Sequence, residues 1–174
     1  IMAAGKGTRN TIYPNLHKAL LPLGNTAAIS KIINAVPPSV SIVIAIGYKK
    51  EQIKSYIDFV HSDRNVEFVE VDNYDGPGSG PGFSLLQCKH LLQAPFVFTG
   101  ADTIIDPREH KIIPDKDWVG VGSCRKWCDN TDTYCLYDEE RGFHYGSGKG
   151  GWEEWDDCFI GVAGISDYEK FWKN

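Results

Sequence analysis

What the chain lacks narrows it first. No apolar run approaches the length of about twenty residues that spans a bilayer, and no signal-peptide pattern opens it. It has no basic excess: 18 Lys and Arg stand against 23 Asp and Glu, a net charge of -5, whereas a nucleic-acid footprint requires a basic face. Five cysteines, Cys88, Cys124, Cys128, Cys135 and Cys158, form an odd set without a C-x-x-C pair. Their spacing is not that of a zinc site and no paired histidines accompany them, so they are expected to be reduced, structural thiols. These absences argue against membrane and nucleic-acid partners. What remains is ordinary for a globular domain: 42% hydrophobic and 24% charged residues over 174 positions, enough for one domain with a sizeable core. Ile1 begins in mid-strand and Phe171-Trp172-Lys173-Asn174 stops without a closing element. The single domain, 1–174, is therefore expected to be incomplete at both ends.

The richest stretch is Ile1 to Leu23. Ile1-Met2-Ala3-Ala4 reads as the end of a buried strand, Gly5-Lys6-Gly7-Thr8-Arg9 as a glycine-rich loop, and Lys18-Ala19-Leu20-Leu21-Pro22-Leu23 as a return towards the core. Glycine allows a phosphate to approach main-chain N–H groups. Lys6, Arg9 and Lys18 then supply charge, the arginine as a fork for two oxygens and the lysines as point charges. Glycines alone are equally an ordinary strand-to-helix turn. The pattern is not a P-loop, which needs four residues between its glycines and Lys-Ser/Thr after the second. Nor is it the dinucleotide fingerprint, since no glycine stands three residues after Gly7.

Ala4-Gly5-Lys6-Gly7-Thr8-Arg9 followed by Lys18-Ala19-Leu20-Leu21-Pro22-Leu23 resembles the signature of the nucleotidyltransferases that make nucleotide sugars and related activated alcohols. That signature is an apolar strand, Ala/Gly-Gly-x-Gly-Thr/Ser-Arg, a short loop, and Pro-Lys-x-Leu-x-Pro-Leu/Val. His17 stands where the family usually has proline, and the spacing from Arg9 to Lys18 differs slightly from the commonest one. The resemblance covers about the first 105 residues well and the rest loosely. It implies a three-layer α/β/α sandwich around a mixed, mostly parallel sheet, with 1–105 as a nucleotide-binding half and 106–174 as an acceptor-binding half. A cytoplasmic enzyme is the default.

Along the chain, Gly24-Asn25 signals a turn, with Asn25 or Thr26 as cap for a helix whose apolar face is Ala27, Ala28, Ile29, Ile32, Ile33 and Val36. Ser41 to Ile46 is a continuous apolar run, the pattern of a central parallel strand. A helix follows over Lys49 to Phe59, with Ile53, Tyr56, Ile57 and Val60 inward. Val66 to Val71 reads as the next strand. Asp72 to Gly82, DNYDGPGSGPG, is too rich in Gly, Pro and Asp for regular structure. Phe83 to Leu92 reads as a helix and Pro95 to Gly100 as a buried strand, so the 72–82 loop lies at a strand's carboxyl end, where open α/β sheets collect ligands.

In the resembled family the counterpart of Gly80-Pro81-Gly82-Phe83-Ser84-Leu85 is Gly-Thr-x-x-Ala/Ser-Leu, with Pro81 here in place of threonine. This implies nucleoside contacts from Gly80, Gly82 and Ser84, and Asn73 and Asp75 are further candidates. Ala3, Ala4, Gly5, Lys6, Gly7 and Thr8 complete the expected nucleotide-binding set. Asp102, after the 95–100 strand, is a turn cap on its own and a metal ligand by the resemblance; Mg²⁺ takes carboxylate oxygen and substrate phosphates. Asp157 is a candidate second ligand.

Trp118 to Gly122, Asp132 to Tyr137, Gly142 to Tyr145 and Phe159 to Ile165 read as strands, and Asp167 to Trp172 as a helix. Gly146 to Gly151 is either a second phosphate loop or a flexible connection. The implied acceptor pocket draws on this half, with Lys149 and Arg125 as candidates for the acceptor phosphate. Trp152 and Trp155, beside Glu153, Glu154, Asp156 and Asp157, are either a core patch or a quaternary ammonium pocket. The resulting expectation is Mg²⁺-dependent transfer of a nucleoside monophosphate from a nucleoside triphosphate to a phosphorylated small molecule. Arg9, Lys18 and Asp102 carry the chemistry, and a sugar 1-phosphate is the acceptor. Phosphocholine or a related phospho- or phosphono-amino alcohol is the alternative. A glycosyltransferase of similar fold would show Asp-x-Asp where Ala101-Asp102-Thr103 stands, and a non-catalytic nucleotide sensor would lose the charged partners.

Overall fold

The computed structural model describes residues 1–8, 10–104, 106, 108, 113–123, 133–138, 142–147 and 157–173. In chain order the elements are β1 (Met2–Ala3), a 3₁₀ turn Lys18–Leu20, β2 (Pro22–Leu23), β3 (Thr26–Ala27), α1 (Ala28–Ala35), β4 (Ile42–Ile46) and α2 (Lys50–Val60). They continue as β5 (Val66–Glu70), α3 (Pro81–Gln87), β6 (Phe96–Thr99), β7 (Trp118–Ser123), β8 (Thr133–Asp138), β9 (Gly142–Ser147), β10 (Asp157–Ile165) and α4 (Tyr168–Phe171).

β4 is the centre of the first half. It pairs in parallel with β1 on one side and β5 on the other. Successive side chains of a strand point to opposite faces, so an all-apolar strand must be covered on both. Ile42, Ile44 and Ile46 join one cluster with Ile29 and Ile33 of α1 and Ile53 and Ile57 of α2. Ala45 and partly buried Val43 join another with Leu85 of α3, Cys88, Phe96, Tyr168 and Phe171. Helices therefore cover both faces, giving the α/β/α layering expected. Between α1 and α2 the buried Ser30 hydroxyl lies 2.9 Å from the Tyr56 hydroxyl and 2.7 Å from Nε2 of His61, a polar clamp within an apolar contact.

The sheet is mixed, and its two directions are segregated. A parallel bridge between Met2 and Gly100 joins β1 to the end of β6. β10 then pairs antiparallel with β6, β7 and β8, and β8 with β9. The register of β10 on β7 shifts between Phe159 and Ala163, where Gly161 has φ +84°.

Several sequence expectations shift. Gly24-Asn25 turns a β2–β3 hairpin, and α1 starts after Ala27 with no side-chain cap, so neither Asn25 nor Thr26 caps it. α3 begins two residues earlier than predicted, because Pro81 suits a first helical turn. It also ends earlier, at Gln87, where the bonds Lys89 N to Leu86 O and Leu91 N to Cys88 O tighten the chain into i to i−3 turns. Val60, expected inward, is exposed at the end of α2. Reduced thiols hold for Cys88, which is free and buried, but Cys158 is disulfide-bonded. No helix among the described residues is long and apolar enough to cross a membrane.

One glycine beyond the predicted set governs how the strand ends meet. A Cβ on Gly47, directly after β4, would lie 2.7 Å from Cδ1 of Tyr74 and 2.9 Å from the carbonyl oxygen of Ala4. Gly47→Ala is expected to destabilise the fold by about 1–3 kcal/mol through overpacking. Urea denaturation checks it, and an unchanged midpoint contradicts the close packing.

Candidate functional site

The glycine-rich loop leaves the carboxyl end of β1 and returns through the Lys18–Leu20 turn. Gly7 has φ +62°, and a Cβ there would sit 3.0 to 3.2 Å from Cδ, Cβ and Cγ of Lys18. The missing side chain is what lets the lysine stem lie across the loop. Its ammonium reaches Oδ2 of Asp102 at 3.0 Å, joining residues 84 apart in sequence. Asp102 is held from both sides. Ala101 N donates to Met2 O at 3.2 Å, Gly100 N donates to Gly161 O at 3.0 Å, and the Thr103 hydroxyl donates to Ile160 O at 2.9 Å. The carboxyl ends of β1 and β6 and the irregular part of β10 thus converge on one carboxylate. The Lys18 and Asp102 side chains are 26% and 66% exposed. An ion pair so open contributes about 0–1 kcal/mol to stability, and its charges stay available to a ligand.

The 72–82 loop forms the facing side. Lys6 reaches across to Asp75, whose hydrogen bond and charge raise the lysine's pKa. Gly76 and Gly78 take φ +86° and +79°. Asn73 Nδ2 lies 3.4 Å from Pro77 O, within the loop itself. Gly80 precedes α3 and its carbonyl accepts from Ser84 N at 3.0 Å and from the Ser84 hydroxyl at 3.2 Å. Ser84 is buried and its hydroxyl is spent inside the helix, whereas Gly82 is exposed in the first turn.

No family model matches the chain. It is 31% identical over 117 residues to the bifunctional protein GlmU of Methanococcus aeolicus, covering 66% of this chain and 27% of that protein. It is 40% identical over 73 residues to GlmU of Trichormus variabilis, covering 40% of this chain and 15% of the relative. The matches thus span about a quarter or less of the curated relatives' length. Among solved structures, the CTP:phosphocholine cytidylyltransferase LicC from Streptococcus pneumoniae superposes with a TM-score of 0.67 at 20% identity, covering 97% of this chain and 71% of that one. A Bacillus anthracis protein named as a glucose-1-phosphate thymidylyltransferase, solved with sucrose, gives 0.64 at 16% identity, covering 98% and 71%. The chain is thus similar in sequence to GlmU proteins and shares its fold with these solved nucleotidyltransferases.

The expected nucleotide loop has buried and open parts. Ala3 and Ala4 are buried, and the Ala4 carbonyl accepts from Tyr48 N at 2.9 Å. Gly5 has open space where a Cβ would be, and Lys6 and Thr8 are exposed. Arg9, Arg125, Lys149, Trp152 and Trp155 lie outside the described residues. Asp157 opens β10 opposite Ser123 and Tyr137, past the carboxyl end of β6 and so on the sheet edge that carries Asp102. Among the described residues no three His, Cys, Asp or Glu side chains cluster as a metal site.

Sequence reasoning read His17 only as a departure from the motif. It is fully buried, and Nδ1 accepts from Ala19 N at 3.1 Å, capping the turn that carries Lys18. Burial, aided by the neighbouring Lys18 charge, pushes its pKa down to about 4 against the pull of the Gly5 and Ala3 carbonyls. The ring is therefore neutral in the fold. As pH falls, the unfolded chain takes up the proton first, so His17's contribution is full above about 6.5, the ordinary value, and is lost on approach to about 4. Burial lowers His61 as well, in the same sense. Unfolding free energy is accordingly expected to fall between pH 6.5 and 4, with a smaller slope in His17→Asn. Urea melts across that range measure it, and identical slopes contradict the assignment.

Proposed function

We propose that this chain transfers a nucleoside monophosphate from a nucleoside triphosphate to a phosphorylated small-molecule acceptor, a sugar 1-phosphate, with release of pyrophosphate. The observation that carries the reading is the 3.0 Å contact between Lys18 and Asp102 beside the glycine-rich loop. Two motifs, each weak alone, meet there as one charged centre at the strands' carboxyl ends.

The reaction asks for positioning and charge rather than a protein nucleophile. An acceptor phosphate oxygen forms a bond to the α-phosphorus while the bond from that phosphorus to the α–β bridging oxygen breaks, and pyrophosphate carries the electron pair away. In this reading the backbone of Gly5, Gly7 and Thr8, with Lys6 and Arg9, holds the β- and γ-phosphates. Lys18 bridges the α-phosphate and the acceptor, and Gly80, Gly82 and Asn73 line the nucleoside's side. Ser84 supports that side through the Gly80 carbonyl instead of its own contact. Such preorganised charge is usually the largest catalytic contribution.

One exposed carboxylate suits Mg²⁺, which keeps waters and substrate phosphates as its other ligands. Asp102 would hold it, with Asp157 on the same sheet edge as the candidate second ligand. Bound there, the ion supplies neutralisation of phosphate charge. Residues 1–105 form the nucleotide half and 106–174 the acceptor half, with Lys149, Trp152 and Trp155 as acceptor candidates. A cytoplasmic location fits substrates of this kind.

Pyrophosphate release from the full-length protein is the test, with four ribonucleoside triphosphates and dTTP against sugar 1-phosphates, phosphocholine and aminoethylphosphonate. One acceptor is expected to support release that EDTA abolishes. Lys18→Ala and Asp102→Ala are each expected to lower it by about 10²–10³-fold. Release that needs phosphocholine instead moves the acceptor to the amino-alcohol class. Nucleotide binding with silence across the panel favours a sensing module.

A further inference from the structure

The loop between the glycines and Lys18 is anchored from outside. Lys49, in the left-handed region with φ 49°, donates from Nζ to Pro14 O at 2.6 Å. Gln52 of α2 uses both ends of its amide: Nε2 donates to Asn15 O at 2.9 Å and Oε1 accepts from His17 N at 2.9 Å. His17 thus has its backbone fixed to α2 and its ring turned inward. Its φ of −64° and ψ of 140° are angles that proline adopts, but proline could neither donate to Gln52 nor accept from Ala19. The residue therefore keeps a rigid backbone shape while adding two hydrogen bonds.

The ring's other nitrogen, Nε2, is buried without a hydrogen-bond partner among the described residues, and the Gly5 and Ala3 carbonyls are the backbone groups acting on the ring. The ring centroid lies 6.4 Å from that of Tyr48. One buried imidazole therefore caps the turn that presents Lys18, while the residue's backbone N–H is held by α2.

We propose that His17 is a positioning residue of the transferase site: its buried ring caps the Lys18 turn, its backbone is anchored to Gln52, and together they set where the Lys18 ammonium stands. It touches no substrate and acts through Lys18. The inference rests on the transferase reading above. A displacement of about 1 Å at a positioned group costs on the order of 10²-fold in rate, so the cap has a kinetic signature.

The test compares His17→Leu and His17→Asn in the full-length protein. Leucine keeps bulk but accepts no hydrogen bond, while the asparagine Oδ1 is a good capping acceptor. His17→Leu is expected to lower kcat by about 10–100-fold with nucleotide KM changed less than about threefold. His17→Asn is expected to recover most of that loss. In a Lys18→Ala background His17→Leu should cost nothing further, since it acts through the missing lysine. Equal kcat in wild type and His17→Leu, or losses that multiply in the double variant, overturns the proposal. Two readouts need no turnover: hydrogen exchange at the Ala19 amide and the rate of Lys18 acylation, both expected to rise about tenfold in His17→Leu. Should wild type prove inactive, the transferase reading fails, and unchanged exchange and labelling would separately overturn the His17 contact. If His17→Leu does not fold, Gln52→Ala, which removes the acceptor for His17 N–H, is expected to give the same kcat-selective loss, and its absence counts equally against the proposal.

Discussion

A lysine stem lying over a glycine is the constraint on which the site depends. Gly7 has no Cβ to push Lys18 away, so the chain folds back after a loop of about ten residues and delivers the ammonium to a carboxylate held by β6 and β10. Everything else supports that geometry. β1 and β6 are bridged at Met2 and Gly100, Gly47 lets Tyr74 and the Ala4 carbonyl close in, and α2 pins the intervening loop through Lys49 and Gln52.

The energetics divide cleanly between scaffold and site. Stability comes from the two clusters that sandwich β4, where fully buried isoleucines make up most of one face and each contributes roughly 1.5–3 kcal/mol by burial. The site itself is open and charged, with the pairs Lys18–Asp102 and Lys6–Asp75 both exposed. Exposed pairs add little stability, which leaves them free to exchange partners with a charged ligand. An apolar scaffold that does not depend on its charged edge suits chemistry that works by charge placement.

The scaffold was largely legible in the sequence because its signals are periodic. Ile29, Ile32 and Ile33, Ile53 and Ile57, and the run 42–46 each state a face and a period, and all but the partly buried Val43 are buried as read. The β2–β3 hairpin was missed because two-residue strands carry no period, and α3 was displaced because its start is set by Pro81 and its end by tight turns. At the site, motif order singled out the glycine loop, Lys18 and Asp102, and the structure adds that the last two meet. Four supports were not legible. Gln52 and Lys49 look like ordinary positions of a helix start, Gly47 like an ordinary turn, and His17 like a mismatch, since the contacts that give them their roles are made with residues far away in sequence or with the local turn. Nor was it legible that the Ser84 hydroxyl donates to the Gly80 carbonyl within its own helix.

The most direct measurement of the central claim follows the fate of labelled phosphate. With the cognate acceptor, a nucleoside triphosphate carrying ³²P at the α position should pass its label to the acceptor product, while γ-labelled substrate should release all its label as pyrophosphate. Transfer of the γ label to the acceptor, or retention of the α label in free nucleotide, would contradict the account.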